Sequence, residues 1–346
     1  MIYRRNHRTM NITKPLATAA LATTLGLGMV ACGGNNDPGT EFFGFSSPVL
    51  SQEGQKFTAQ GVEAASDNLG WESQVYDANL SPDTQVSNIQ TMVDRPASAI
   101  ASWALDEGAI SGAYARADAA GIPVIGVNSG GTGVDTSVWT ESTTCEPGGI
   151  IDRLADYYAE AKPNGTIAIM SGPPAPSIVA MTDCFTQAAE SKGLRIVVRQ
   201  DNTADTSASA SALAQDVLSA NPDIDGYWAY NDGSAIGIGS ALQARGMSAY
   251  SPTNPNGVVV TGNNGDDAAI AAIRNGTISG TIDTDPMCTG WALVAAARDA
   301  LEGNAQPEYV IAGTIVDGAT VVDYIAPAER QCSLDDLPLV ETDTEN

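Results

Sequence analysis

Residues 61–129 read "GVEAASDNLGWESQVYDANLSPDTQVSNIQTMVDRPASAIASWALDEGAISGAYARADAAGIPVIGVNS". Three runs within it are short and strand-like: "ESQVYDAN" (72–79), "SAIASWAL" (98–105) and "IPVIGVNS" (122–129). Between them lie runs of helical length and period. "PDTQVSNIQTMVD" (82–94) opens on a proline and "DEGAISGAYARADAAG" (106–121) closes on a glycine, as helix ends do. Strands alternating with helices predict a parallel sheet with helical crossovers.

The alternation continues on both sides. "EFFGFSS" (41–47) reads as a strand, and "EGQKFTAQGVEAASDNLG" (53–70) as a helix with Phe57, Val62, Ala65 and Leu69 on one face. Beyond "VWTESTTC" (138–145) a second series begins. Its helices are predicted at 146–161, 176–193, 206–222 and 233–246, and its strands at 166–172, 194–200, 226–232 and 257–264. So much chain exceeds one α/β layer system, and two lobes are expected. "SWALDEGAISGAYARADAAGIPVIGVNSGG" and "AYNDGSAIGIGSALQARG…GVVVTGNNGD" share one plan, an internal repeat that ends each strand in polar residues. Ligands of open parallel sheets sit beyond those carboxyl ends. "AIGIGSAL" (235–242) lacks the third glycine of a dinucleotide fingerprint and reads as close helix packing. "NSGGTG" (128–133) reads as a loop leaving a strand.

The N-terminus is of another kind. Arg4, Arg5, Arg8 and Lys14 precede the small, apolar run "PLATAALATTLGLGMVA" (15–31), an export signal by composition. Its ending, "MVAC", resembles the lipobox of bacterial lipoproteins, with Met29 where Leu is usual; Cys32 would carry the lipid and become the first mature residue. Residues 32–40 would then form a tether. An ordinary secretory signal is the alternative. Removing residues 1–31 takes away four cations and no acid, so the net charge moves from −25 to about −29. Such acidity argues against nucleic acid and anionic lipid surfaces as partners. The only histidine, His7, leaves with the signal, which removes histidine-based nucleophile systems and histidine-containing zinc sites. No metal or cofactor is expected. With Cys32 set aside, Cys145, Cys184, Cys288 and Cys332 remain, an even number suggesting two disulfides with three possible connectivities.

The order of features in 61–129, with its helix ending in Leu-Gly, its Asp-containing second strand and its "AGIPV", resembles the ribose-type periplasmic sugar-binding proteins, solute receptors of ABC importers. "NPDIDGYWAYNDGSAIGIGSAL", "GVVVTGNNGD" and "NGTISGTIDTDP" continue the resemblance, which spans about 41–325. It implies two doubly wound α/β lobes joined by a three-stranded hinge, with crossings near Trp139–Cys145, Ile282–Met287 and Ile311–Asp317. Lobe one would hold 41–143 and 287–312, and lobe two 144–283 and 313–346 with the C-terminal tail. It also implies the pairs Cys145–Cys184 and Cys288–Cys332.

Carried over position by position, the resemblance implies a cleft site at Ser47, Gln52, Gln55, Trp103, Asn128, Asn231, Asn264, Asp283 and Asp285. The departures are informative. Gln52, Glu53, Gly54 and Gln55 replace the family's Asn-Pro-aromatic-aromatic run, and "SSPVL" forms an extra loop. Asn128-Ser129 replaces Asp-Arg, Val179 replaces an arginine, Asn264 an aspartate and Thr284 the hinge glutamine. Fewer guanidinium donors and the flanking Asp283 and Asp285 favour a neutral sugar or polyol, or a ligand bearing an amine. Trp103 reads either as its stacking face or as core beneath the cleft. The implied function is a lipid-anchored, monomeric receptor working with an ABC permease at the outer face of the membrane. The alternatives are a sensory receptor feeding a membrane kinase or chemoreceptor, and a histidine-free exported enzyme.

Overall fold

The computed structural model describes residues 40–340. The signal segment, Cys32 and the tether as far as residue 39 lie outside the described residues. No helix among those described is long and apolar enough to cross a membrane.

Two six-stranded sheets organise the chain. The first is built from β1 (Phe42–Ser47), α1 (Glu53–Leu69), β2 (Glu72–Asp77), α2 (Pro82–Asp94), β3 (Ala99–Ser102), α3 (Glu107–Ala119), β4 (Val124–Val127) and β5 (Thr136–Thr140). The second takes α4 (Ile150–Ala161), β6 (Thr166–Ser171), α5 (Pro176–Ser191), β7 (Arg195–Asp201), α6 (Ser207–Ala220), β8 (Gly226–Ala229), α7 (Asp232–Ala244), β9 (Val259–Asn264), α8 (Asp267–Arg274) and β10 (Gly280–Asp283). The chain then returns with α9 (Pro286–Leu301) and β11 (Glu308–Ile311) to the first sheet, and with β12 (Thr314–Asp317) to the second.

The sheet orders are β2-β1-β3-β4-β5-β11 and β7-β6-β8-β9-β10-β12. They are the same order twice, as the internal repeat requires. Every pair is parallel except β10–β12. Central strands β1, β3, β4 and β8 are buried along their whole length, whereas β2 at one edge and β7 at another alternate with solvent. That contrast follows from helices covering both faces of a parallel sheet. Ser81, Asp106, Thr206 and Asn231 cap the helices that follow them by accepting the backbone N–H three positions on. In the second lobe Phe185 stacks on Trp228 with centroids 5.1 Å apart, so Trp228 belongs to the core.

"AIGIGSAL" lies inside α7, as its packing reading requires. A Cβ on Gly237 would stand 2.3 Å from the Ser207 carbonyl oxygen, and one on Gly239 would stand 2.3 Å from that of Thr277. These glycines let α7 touch its neighbours' backbones.

Cys145 is bonded to Cys184 and Cys288 to Cys332. The tail departs from expectation. Residues to Tyr324 stay on the second lobe, where Val321 joins its core and the Tyr324 hydroxyl donates to the Gly265 carbonyl. From Cys332 to residue 340 the chain lies on the first lobe instead. Leu334 enters that core, the Ala312 N–H donates to the Pro338 carbonyl (2.8 Å), and Val340 N–H to that of Val310 (2.8 Å). The assignment of 313–346 wholly to the second lobe is therefore corrected. Apolar burial of Leu334 and the covalent link to α9 draw the end of the tail back across the hinge, a fourth crossing. The Cys288–Cys332 bond spans 44 residues. Replacing Cys332 by serine is expected to lower the unfolding free energy by about 2–5 kcal/mol in urea titrations; an unchanged midpoint would refute this.

Candidate functional site

Because the strands of each sheet run parallel, their carboxyl ends gather at one edge, and the loops leaving them carry the site. A cavity of about 90 Å³ lies between those edges, enough for several waters or one small ligand. Gln52, Gln55 and Thr58 reach it from the start of α1, and Trp103 and Leu105 from the loop after β3. Thr140, Ser142 and Thr143 come from the first crossing. The second lobe contributes Ser177 and Met181 on α5, Asp205 after β7, Tyr230 and Asn231 after β8, and Asn263 and Asn264 on β9.

Three hydrogen bonds join the lobes around this cavity. Trp103 Nε1 donates to Ser177 Oγ (3.0 Å), Gln52 Nε2 to Asp205 Oδ2, and the Gly54 N–H at the start of α1 to Asp266 Oδ1 (3.1 Å). Gln52 caps α1 without offering a side-chain bond, so the helix's free N–H meets a carboxylate from the other lobe instead. Asp205 also accepts from the Tyr230 hydroxyl and from Asn231 Nδ2 (2.9 Å), which spends both its oxygens on protein donors. Burial, with Asp205's charge beside it, pushes the Tyr230 hydroxyl pKa up, so Tyr230 stays a donor at any ordinary pH.

Of the nine residues expected at the site, Gln52, Gln55, Trp103, Asn231 and Asn264 line the cavity. Trp103 does so while also packing against the first-lobe core. Ser47 is buried beneath, donating to Gln55 Oε1 (3.1 Å) and orienting that amide. Asn128 is likewise buried. Its Oδ1 accepts from the Thr140 N–H (2.7 Å) and the Thr143 hydroxyl (2.9 Å), so it fastens the first crossing.

Asp283 and Asp285 do not line the cavity. Arg330, on the fourth crossing, pairs with both of them, and Asp285 is also the N-cap of α9. Burial pushes the Asp283 carboxyl up against the downward pull of Arg330. Despite burial, the two carboxylates hold the Arg330 guanidinium above its usual range. The carboxylates read as ligand-facing are thus engaged by Arg330 within the hinge, and Thr284 between them is the residue that reaches the cavity. Sequence reasoning missed Asp205, Ser177 and Asn263. Each sits at or just past the carboxyl end of a second-lobe strand, or on the helix that follows it, and that position was the available signal.

A family profile described as a periplasmic binding protein domain matches residues 43–305. The chain belongs to that family. The xylitol-binding protein of Mycolicibacterium smegmatis is 25% identical over 342 residues, 95% of this chain and 93% of that one. The ribose import binding protein of Bacillus subtilis is 24% identical over 246 residues, 70% of this chain and 76% of that one. Among solved structures, an ABC transporter periplasmic solute binding protein from Actinobacillus succinogenes with bound D-allose superposes with a TM-score of 0.72 at 22% identity. The match covers 82% of this chain and 100% of that one. The Caulobacter myo-inositol binding protein gives 0.71 at 21% identity, over 82% and 95%. These relatives are binding proteins and not enzymes, and the fold is theirs.

Asp266 lies under the Gly54 contact beside Asp232, whose oxygens accept from the Asp266 N–H (2.8 Å) and the Thr281 hydroxyl. Burial first, and then their mutual charge for Asp266, raise both carboxyls well above the ordinary range. The folded state therefore holds protons on this pair that the unfolded chain has released, so the pair's contribution to stability is fully present at low pH and is lost as pH rises. That contribution is expected to decline from about pH 4, the ordinary carboxyl range, to about pH 8, and Asp266→Asn to flatten the slope in urea titrations. Equal slopes in the two proteins would refute the assignment.

Proposed function

We propose that this protein is an exported receptor that captures a small neutral sugar or polyol between its lobes and delivers it to an ABC permease. One observation carries the reading. The cavity at the facing strand ends combines amides, hydroxyls and Trp103 with apolar side chains, its one carboxylate, Asp205, is already bonded to protein donors, and no Lys, Arg or His is among the residues lining it. Amide and hydroxyl groups both donate and accept, matching a ring of hydroxyls, and the indole supplies a flat apolar surface for its C–H face. The lobes that close on the ligand are 41–143 with 287–312 and 144–283 with 313–325, residues 332–340 riding on the first. Capture needs no covalent step; closure makes the liganded form distinct to a partner, and the protein works as a monomer.

A calorimetric and thermal-shift panel of neutral sugars and polyols tests the reading. A ligand at one hundred times its Kd is expected to stabilise the protein by about 2.7 kcal/mol. Binding of charged ligands with none from the neutral panel would overturn it.

The lipobox-like "MVAC" supports a diacylglycerol on Cys32 that holds the receptor at the outer face of the membrane. Cys32→Ala is expected to move the protein from the membrane fraction to the soluble exported fraction. Retention of the variant in the membrane would argue for a different anchor.

A further inference from the structure

The cavity has two chemically different walls, and the topology separates them. One is made by the loops after β1, β2 and β3 facing the first turns of α5: Val49, Leu80 and Leu105 on one side, Ile178 and Met181 on the other. The Trp103–Ser177 hydrogen bond shows that these segments meet across the cleft. Val49 and Met181 are buried and Leu105 and Ile178 half-buried, so this wall is apolar well below its rim. Val179, at the position where the resemblance places an arginine, is 36% exposed and does not line the cavity.

The opposite wall is formed by α1, the loops after β7 and β8, and β9. It presents Gln55, Asp205, Asn231 and Asn263. Asn263 donates through Nδ2 to Asn264 Oδ1 (3.2 Å), but its own Oδ1 has no hydrogen-bond partner although the residue is only 6% exposed. A buried acceptor on a cavity wall is favourable only when something donates to it. The position is not one that the family resemblance marks; Asn264 is.

We infer that the site selects deoxy sugars: a neutral ring whose hydroxyls face the amide wall, one of them donating to Asn263 Oδ1, and whose methyl or deoxygenated carbon lies against Leu105, Ile178 and Met181. The inference rests on the sugar or polyol reading above and narrows it. A hydroxyl turned to the apolar wall loses its water and gains no partner, whereas a methyl there gains from burial. Apolar pockets of this kind separate such pairs by about 10- to 100-fold.

The test is calorimetry on the mature protein with matched pairs: L-fucose with L-galactose, L-rhamnose with L-mannose, D-fucose with D-galactose, and 2-deoxy-D-ribose with D-ribose. In at least one pair the deoxy member is expected to bind about 10- to 100-fold more tightly. Ile178→Thr, which puts a hydroxyl on the half-buried apolar wall, is expected to narrow that ratio. Asn263→Ala is expected to weaken both members alike. If neutral sugars bind but every pair is equal or favours the hydroxylated member, the inference is overturned and the receptor reading stands. If no neutral sugar or polyol binds, both fall. The wild-type ratio decides the matter even if a variant does not fold.

Discussion

Parallel strands bring all their carboxyl ends to one edge of a sheet, and the residues just past those ends are the ones the sheet cannot bury. In this protein the constraint acts twice, because both sheets have the same strand order, and their polar edges face each other. The cavity is the space between those edges. Its polar wall and the lobe-to-lobe contacts of Gln52, Gly54 and Trp103 all derive from that placement. The antiparallel β12 is the exception: the chain re-enters the second sheet from its cleft edge, beside the end of β10 through which it had left.

Crossing between lobes forces polar backbone and side chains into the interior, and the hinge satisfies them with paired charge. Glu141, 5% exposed, accepts from the Ile150 N–H through Oε1 (2.8 Å) and from the Gly313 N–H through Oε2 (2.9 Å), binding the first crossing to the third. Asp283 and Asp285 share Arg330. The whole chain has 16 Lys and Arg against 41 Asp and Glu, so one of its scarce cations is committed to the hinge. A buried carboxylate without such a partner would carry a desolvation penalty of several kcal/mol.

The fold was readable because its signals are local and repeated. Strand length, helix period, the glycines and prolines at element ends, and the duplicated plan around 102–131 and 229–266 all point to one architecture. The site was readable only in part. Gln52, Gln55, Trp103, Asn231 and Asn264 occupy positions that a strand-by-strand comparison identifies. Asp283 and Asp285 misled because their partner, Arg330, is 45 to 47 residues away in a tail that no local pattern places. Asn128 misled because its neighbours along the sequence do not disclose that Thr140 and Thr143 fold back onto it. Asn263 and Asn264 are adjacent and chemically identical, and nothing in the local sequence says which one keeps an unpartnered carbonyl.

The returning tail has a further consequence for how this protein behaves among copies of itself. β11 is the last strand of the first sheet, and an edge strand offers a row of unpaired backbone donors and acceptors to any extended chain that reaches it. Residues 338–340 occupy that row from within the same molecule, antiparallel to residues 310–312. The tail is thus a guard against intermolecular strand addition, held in place covalently at Cys332. The chain's own C-terminal stretch gives the sheet the cover that its topology leaves out.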